Sequence, residues 1–137
     1  MESFLKAMKA LSDANRVKIL MMLQHKSLCV CEIQAALGIA QPTVSKHLKA
    51  LLDSGLVEWS RDGKWIDYRL AVGNSNPYAP AILDSLRGWL EQDPSVSAVI
   101  EQIPRLCREK LCNSGTNGDP DADDRACGHS RSEGGRS

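Results

Sequence analysis

The stretch Gln41-Pro42-Thr43-Val44-Ser45-Lys46-His47-Leu48-Lys49-Ala50-Leu51-Leu52-Asp53-Ser54-Gly55 decides the fold. Val44, Leu48, Leu51 and Leu52 recur at the spacing of one face of a helix. Pro42 suits the first turn, and Gly55 ends the run. With the apolar stripe turned inward, Lys46 and Lys49 point outward, Thr43 lies nearby, and Ser45 and His47 occupy the flanks. Just upstream, residues 30–37 read as a short helix stopped by Gly38. Downstream the period changes. Leu56-Val57-Glu58-Trp59-Ser60 and Trp65-Ile66-Asp67-Tyr68-Arg69-Leu70 are strand-like, and the Asp-Gly of Arg61-Asp62-Gly63-Lys64 between them signals a hairpin. Two short helices joined by a tight turn and followed by a hairpin describe a winged helix-turn-helix.

The rest of the chain fits around that unit. Phe4, Leu5, Met8 and Leu11 predict a first helix over residues 3–11. Ser12-Asp13 offers an N-cap for a second helix carrying Val17, Ile19, Leu20 and Leu23, ending near Gln24. Asn74 to Pro80 reads as a loop, and Ile82, Leu83, Leu86, Trp89 and Leu90 as a fifth helix. Asp93-Pro94 restarts the chain into a last helix, interrupted or kinked at Pro104. The fold class is therefore mainly α with a small β-hairpin. The expected organisation is a winged helix-turn-helix DNA-binding and dimerisation domain over residues 1–92, a helical extension over 93–112, and a Gly-, Ser- and Asp-rich disordered tail over 113–137. The first and fifth helices carry more apolar surface than so small a domain needs inside, which predicts a homodimer.

Composition narrows the function. The formal net charge is zero, but the tail from Asn113 holds five acids against three bases, leaving 14 bases against 12 acids in residues 1–112. A mildly basic folded part is compatible with DNA binding. No apolar stretch approaches the ~18 residues of a membrane span. The N-terminus, Met1-Glu2-Ser3-Phe4-Leu5-Lys6, lacks a secretion signal, so a cytoplasmic location is expected and no membrane partner. The five cysteines, Cys29, Cys31, Cys107, Cys112 and Cys127, are an odd number, which argues against a disulfide framework and leaves metal binding, redox sensing or burial.

The residue types at the reading unit carry specific chemistry. Lysines such as Lys46 and Lys49 reach phosphates; Gln, Ser and Thr near a helix N-terminus hydrogen-bond base edges or phosphates; and His47 in the same helix is expected to contact DNA or to pack rather than to bind metal. At the hairpin tip, Arg61 and Lys64 are placed to clamp the backbone or enter a minor groove. Upstream, Leu28-Cys29-Val30-Cys31-Glu32 sets a soft-ligand pair at the start of the reading unit. Residues two apart on a regular helix point about 200° apart, so chelation of one ion by both sulfurs would distort that turn.

These stretches resemble the ArsR/SmtB metalloregulatory repressors. Val44-Ser45-Lys46-His47-Leu48-Lys49-Ala50-Leu51-Leu52-Asp53-Ser54-Gly55-Leu56-Val57 is similar to that family's recognition-helix signature. Asp13-Ala14-Asn15-Arg16-Val17-Lys18-Ile19-Leu20 resembles its second-helix motif, and Arg61-Asp62-Gly63-Lys64 its wing. The resemblance spans roughly residues 3–92. It implies a homodimeric repressor, paired through the first and fifth helices, that leaves double-stranded operator DNA when an inducer ion binds. It implies DNA contacts at Gln41, Pro42, Thr43, Ser45 and Lys46, supported by the wing; Pro42 stands where members often carry a polar residue. Cys29-Val30-Cys31 resembles the arsenite-responsive branch, which implies As(III) or Sb(III) as inducer and no permanently bound cofactor. That branch places a third cysteine three residues after the second, where this chain has Gln34. Cys107 or Cys112, from either subunit, then stands as the candidate third thiolate, with Cys127 or a small cellular thiol behind them. The family's zinc-type site is not expected, because residues 77–92 hold no His and only Asp84 and Glu91 as acids.

Other readings remain open from sequence. A thiol-redox or cadmium- or lead-responsive repressor would use the same cysteines. A small thiol oxidoreductase would need a strand–loop–helix cradle ahead of Cys29 that the sequence does not provide, so no enzyme is expected.

Overall fold

A computed structural model of the chain describes residues 1–106. Expectations that fall on residues 107–137, the tail and Cys107, Cys112 and Cys127 among them, lie outside the described residues. The order of elements is α1 (Glu2–Ala10), α2 (Ala14–Leu23), α3 (Val30–Leu37), α4 (Gln41–Asp53), β1 (Val57–Asp62), β2 (Trp65–Leu70), α5 (Ala79–Leu90) and α6 (Pro94–Ile100), then a short 3₁₀ turn (Ile103–Arg105).

The core is built around α2. Ile19, Leu20, Met21, Met22 and Leu23 are all buried, so this helix is apolar on every side in its second half. It packs against α4, α5, α6 and β2. Its start is fixed by Asp13, whose Oδ1 accepts from the backbone N–H of Asn15 at 2.8 Å and of Arg16 at 3.2 Å. Small Ala7 and Ala10 on α1 are buried where that helix lies on α4.

The helix-turn-helix closes through α3 on α4. Gly38 caps α3 in the left-handed region at φ +70°, so the chain turns sharply into α4. Val44, Leu48 and Leu51 are buried along α4. Leu52, expected in the same stripe, is only partly buried against the core. The wing is a two-stranded antiparallel sheet in which Val57 pairs with Leu70 and Asp62 with Trp65. The strands run further than the sequence pattern predicts, leaving Gly63 and Lys64 as the loop. The turn therefore centres one residue later than the Asp-Gly signal, with Gly63 at φ +64° in the first loop position, as a type II′ turn requires. Leu28 adds an isolated bridge to the sheet: its N–H donates to the Tyr68 carbonyl at 3.1 Å and its carbonyl accepts from Tyr68 N–H at 2.8 Å.

Two boundaries move at the C-terminal side. Pro80 lies in the first turn of α5, not in the loop, because that position needs no N–H donor. Pro104 sits in a separate 3₁₀ turn, so α6 ends at Ile100 rather than kinking. The apolar stripes divide. Leu86 is buried, and Leu11, Ile82 and Leu90 pack partly against the core. Phe4, Leu5, Met8 and Trp89 stay exposed, Trp89 at 76%, together with Tyr78, whose ring meets Phe4 edge-on at 5.6 Å.

The Asp13 cap makes stability pH-dependent. Burial raises its carboxyl, but the Arg16 and Asn15 hydrogen bonds and the neighbouring His47 and Arg16 outweigh that and leave it below its ordinary value of 3.8. A lowered carboxylate contributes stability that is present above the ordinary value and is lost as pH falls through the folded one. Asp13→Asn keeps a good cap and removes the charge. Its urea midpoint is expected to fall less than the wild-type midpoint between about pH 6 and pH 3; equal losses would show that the cap charge contributes nothing.

Candidate DNA interface and thiol site

Gln41, Pro42, Thr43, Ser45, Lys46 and Lys49 are all exposed on α4. They form the outer face left once Val44, Leu48 and Leu51 are committed to the core. Lys49 is 3.6 Å from Asp53 one turn on, so part of its charge is answered within its own helix. Lys46 makes no ion pair with a described residue, and its charge is available to a phosphate. His47 departs from this group. Its side chain is 15% exposed and its Nε2 lies 3.8 Å from Asp13 Oδ1, so it faces the α2 cap and not the outer surface.

Arg61 and Lys64 project at the exposed end of the wing. Lys64 Nζ sits 4.9 Å from the centre of the Trp65 ring, a cation–π contact that restrains a long side chain. At the wing's base, Arg69 and Glu58 pair across the strands at 3.2 Å. Lys46 and the wing tip thus offer positive charge on two separate elements of one reading unit.

The cysteines differ from the sequence expectation in their setting. α3 has the bounds expected, 30–37, and Cys29 stands just before it. Cys29 is the N-cap, extended at φ −93° and ψ 171°, and Cys31 lies in the first turn. The opposed directions of two residues on a regular helix therefore do not apply to this pair. Instead the thiol is part of the cap. Cys29 N–H donates to Glu32 Oε1 at 3.0 Å, while Glu32 N–H faces the Cys29 sulfur in a reciprocal capping box. Cys29 is 3% exposed and Glu32 5%. Burial, and to a lesser degree the Glu32 carboxylate, push the Cys29 thiol up to about 11, against the backbone hydrogen bond from Glu32. Cys31 is half-buried.

Among the described residues, no group of three or more His, Cys, Asp or Glu side chains is placed to hold a metal ion. Gln34, at the position where the arsenite branch places a third cysteine, is half-buried on α3.

Glu32, the Leu28–Tyr68 bridge and Asn76 help to fix this fold and are absent from the expected site residues. Glu32 has a signal: Cys-x-x-Glu is the capping-box pattern with sulfur in place of a hydroxyl. The Leu28–Tyr68 bridge has none, because a one-residue bridge leaves no periodicity. Asn76, 1% exposed, looks in sequence like an ordinary loop residue.

A family model described as "Bacterial regulatory protein, arsR family" matches residues 13–58, from the Asp13 cap through α4 into β1. The arsenical resistance operon repressor of Escherichia coli (strain K12) is 35% identical over 102 residues, which cover 71% of this chain and 81% of that protein. An arsenic resistance transcriptional regulator of Pseudomonas putida is 32% identical over 106 residues, covering 71% of this chain and 79% of the other. Among solved structures, the homodimeric winged helix-turn-helix DNA-binding domain of a possible ArsR-family regulator from Mycobacterium bovis matches with a TM-score of 0.57 at 27% identity. That match covers 66% of this chain and 81% of the other. The similarity runs beyond the reading unit into the helices that flank it, and on that ground the chain belongs to the arsR family of winged helix-turn-helix transcriptional repressors.

Proposed function

We propose that this repressor binds double-stranded operator DNA as a homodimer and is released when trivalent arsenic or antimony is captured by Cys29 and Cys31. The observation that carries the reading is the placement of Cys29 as the N-cap of α3. The first helix of the reading unit begins on a sulfur, so a thiophilic ion that takes the sulfur takes the cap. Each thiol would exchange an As–OH bond for an As–S bond, its proton leaving with the hydroxide as water. Bringing the Cys29 sulfur onto the same ion as the Cys31 sulfur would draw it away from the Glu32 N–H, and the α3 start would reorganise against α4. The ion shifts the DNA equilibrium only by its differential affinity for the free and bound forms.

Several further observations support the reading. The relatives from E. coli and P. putida are named for arsenical and arsenic resistance. The exposed Phe4, Leu5, Met8, Tyr78 and Trp89 supply an apolar face on α1 and α5 for a second copy of the chain. The third thiolate would come from Cys107 or Cys112, and DNA contacts from Gln41, Thr43, Ser45, Lys46, Lys49, Arg61 and Lys64. Among the described residues no helix is long and apolar enough to cross a membrane, and the reading implies work in the cytoplasm with the thiols reduced. It is a binding function with no turnover. A second reading, release by thiol oxidation, would act on the same two cysteines, which stand two residues apart at the start of α3. Release by arsenite under reducing conditions, compared with release by peroxide alone, separates the two.

Three outcomes are expected. Lys46→Ala weakens binding to a duplex selected in vitro with the wild-type chain. It also flattens the slope of log affinity against log salt by roughly one unit for each phosphate it no longer neutralises; unchanged affinity and slope would remove α4 from the DNA. In the fully reduced protein, iodoacetamide labels Cys29 at neutral pH at least about a hundredfold more slowly than a small thiol, since the thiolate is the nucleophile. Labelling at the small-thiol rate, mapped by mass spectrometry, would contradict the buried cap. The Cys29→Ser, Cys31→Ser double variant folds, binds the duplex and stays bound in arsenite, because a serine at the cap still accepts the Glu32 N–H. Full arsenite-driven release by that variant would end the proposal.

A further inference from the structure

Asn76 is a buried side chain whose hydrogen bonds reach three separate helices. Its Nδ2 donates to the Ser3 carbonyl in the first turn of α1 at 2.9 Å and to the Ser54 carbonyl, the C-cap of α4, at 2.8 Å. Its Oδ1 accepts from Tyr78 N–H, at the N-cap of α5, at 2.9 Å. The residue is 1% exposed, so each of these bonds replaces water that has no access. The chain also comes very close here. A Cβ on Gly55, at φ +79°, would stand 2.6 Å from Asn76 Cβ, so the α4 terminus and the Asn76 loop lie in direct contact.

The three helices have different tasks. α4 carries the exposed polar face toward DNA. α1 and α5 carry the exposed apolar residues, and Phe4 and Tyr78 meet edge-on at 5.6 Å beside the junction. We infer that Asn76 is a positioning residue for DNA recognition: its carboxamide locks the C-terminal end of α4 to the α1/α5 pair and so sets the half-site spacing that the dimer accepts. This rests on the homodimeric DNA-binding reading.

The lever makes a small error matter. A helix of 13 residues is about 20 Å long at 1.5 Å per residue. A tilt of about 10° about its gripped end moves the other end by about 3.5 Å, close to one base-pair step. Two-fold binding requires recognition helices about one DNA turn apart, so a shift of one step in each subunit moves both out of register. Without the amide, the Ser54 carbonyl loses a fixed donor and the end of α4 is held less firmly to the α1/α5 pair, so that small tilts about the core contacts of Val44, Leu48 and Leu51 become easier.

The test uses the full chain and duplexes selected in vitro with the wild-type protein. The set is a duplex with both half-sites, versions with one or two base pairs added or removed between them, and a duplex with one half-site. Asn76→Ser keeps an acceptor for Tyr78 N–H and loses the reach to Ser3 and Ser54. Asn76→Asp, measured alongside, keeps the volume and removes both donors. Both are expected to stay dimeric in sedimentation and to bind the single half-site within about twofold of wild type, while binding the native spacing about tenfold more weakly, a shift typical of one lost coupling. Their preference for native over altered spacing should shrink accordingly. A wild-type spacing preference in either folded variant overturns the inference, as does an equal loss on single and paired half-sites. A wild-type chain that is monomeric, or indifferent to spacing, brings down the dimer reading itself, an outcome visible before any variant is measured.

Discussion

The burial of α2 is the constraint that every other element answers to. Five successive apolar residues, Ile19 to Leu23, cannot all face one neighbour, so the chain must surround them. α4, α5, α6 and β2 do so. The consequence for function is that α4 commits its own apolar stripe to the core and leaves a polar face outside. The same packing brings His47 of α4 against Asp13, the cap of α2. The orientation of α4 is therefore set from the core outward, by Val44, Leu48 and Leu51 beneath it and by contacts at its flank and its end.

Around this rigid centre the thiol site occupies a weaker place. α3 has only eight residues, too few to be stable by propensity alone, and it depends on its ends. Gly38 fixes one end, and the Cys29–Glu32 capping box fixes the other. Leu28, immediately before the cap, is held by two hydrogen bonds to Tyr68 of the wing. A change at Cys29 is thus bounded upstream by the sheet and downstream by α3, with α4 packed next to it. On the proposed reading, capture of an ion at Cys29 would favour a different arrangement of this local element, and only such differential binding can shift the DNA equilibrium. Burial, which pushes the Cys29 thiol up to about 11, leaves it a poor nucleophile toward ordinary electrophiles at neutral pH.

The helices and the reading face are legible in the sequence because they follow from periodicity. The Val44, Leu48, Leu51 spacing, the Asp13 cap and the Gly38 and Gly55 stops are local signals, and the structure keeps them. What is not legible is tertiary. The hairpin loop shifts by one residue because the extent of strand pairing, not the Asp-Gly dipeptide, decides where a turn closes. His47 lies on the flank of the helical wheel, and only the position of α2 shows that it turns inward. The helix over residues 30–37 is legible, and its bounds hold, but the opposed directions of two residues on one helix do not apply to Cys29, because the residue just before the helix is its cap. Asn76 carries no pattern at all, since its three partners are far apart in sequence.

The central claim is that ion capture at Cys29 and Cys31 dismantles the cap of α3, and amide hydrogen exchange on the reduced chain tests it most directly. On adding arsenite, protection is expected to fall at the amides of Cys29, Glu32 and Ile33, which form the first turn and its cap, while the buried turns of α2 around Leu20 and Met22 stay protected. Release of DNA by arsenite with protection at the start of α3 unchanged would contradict the account.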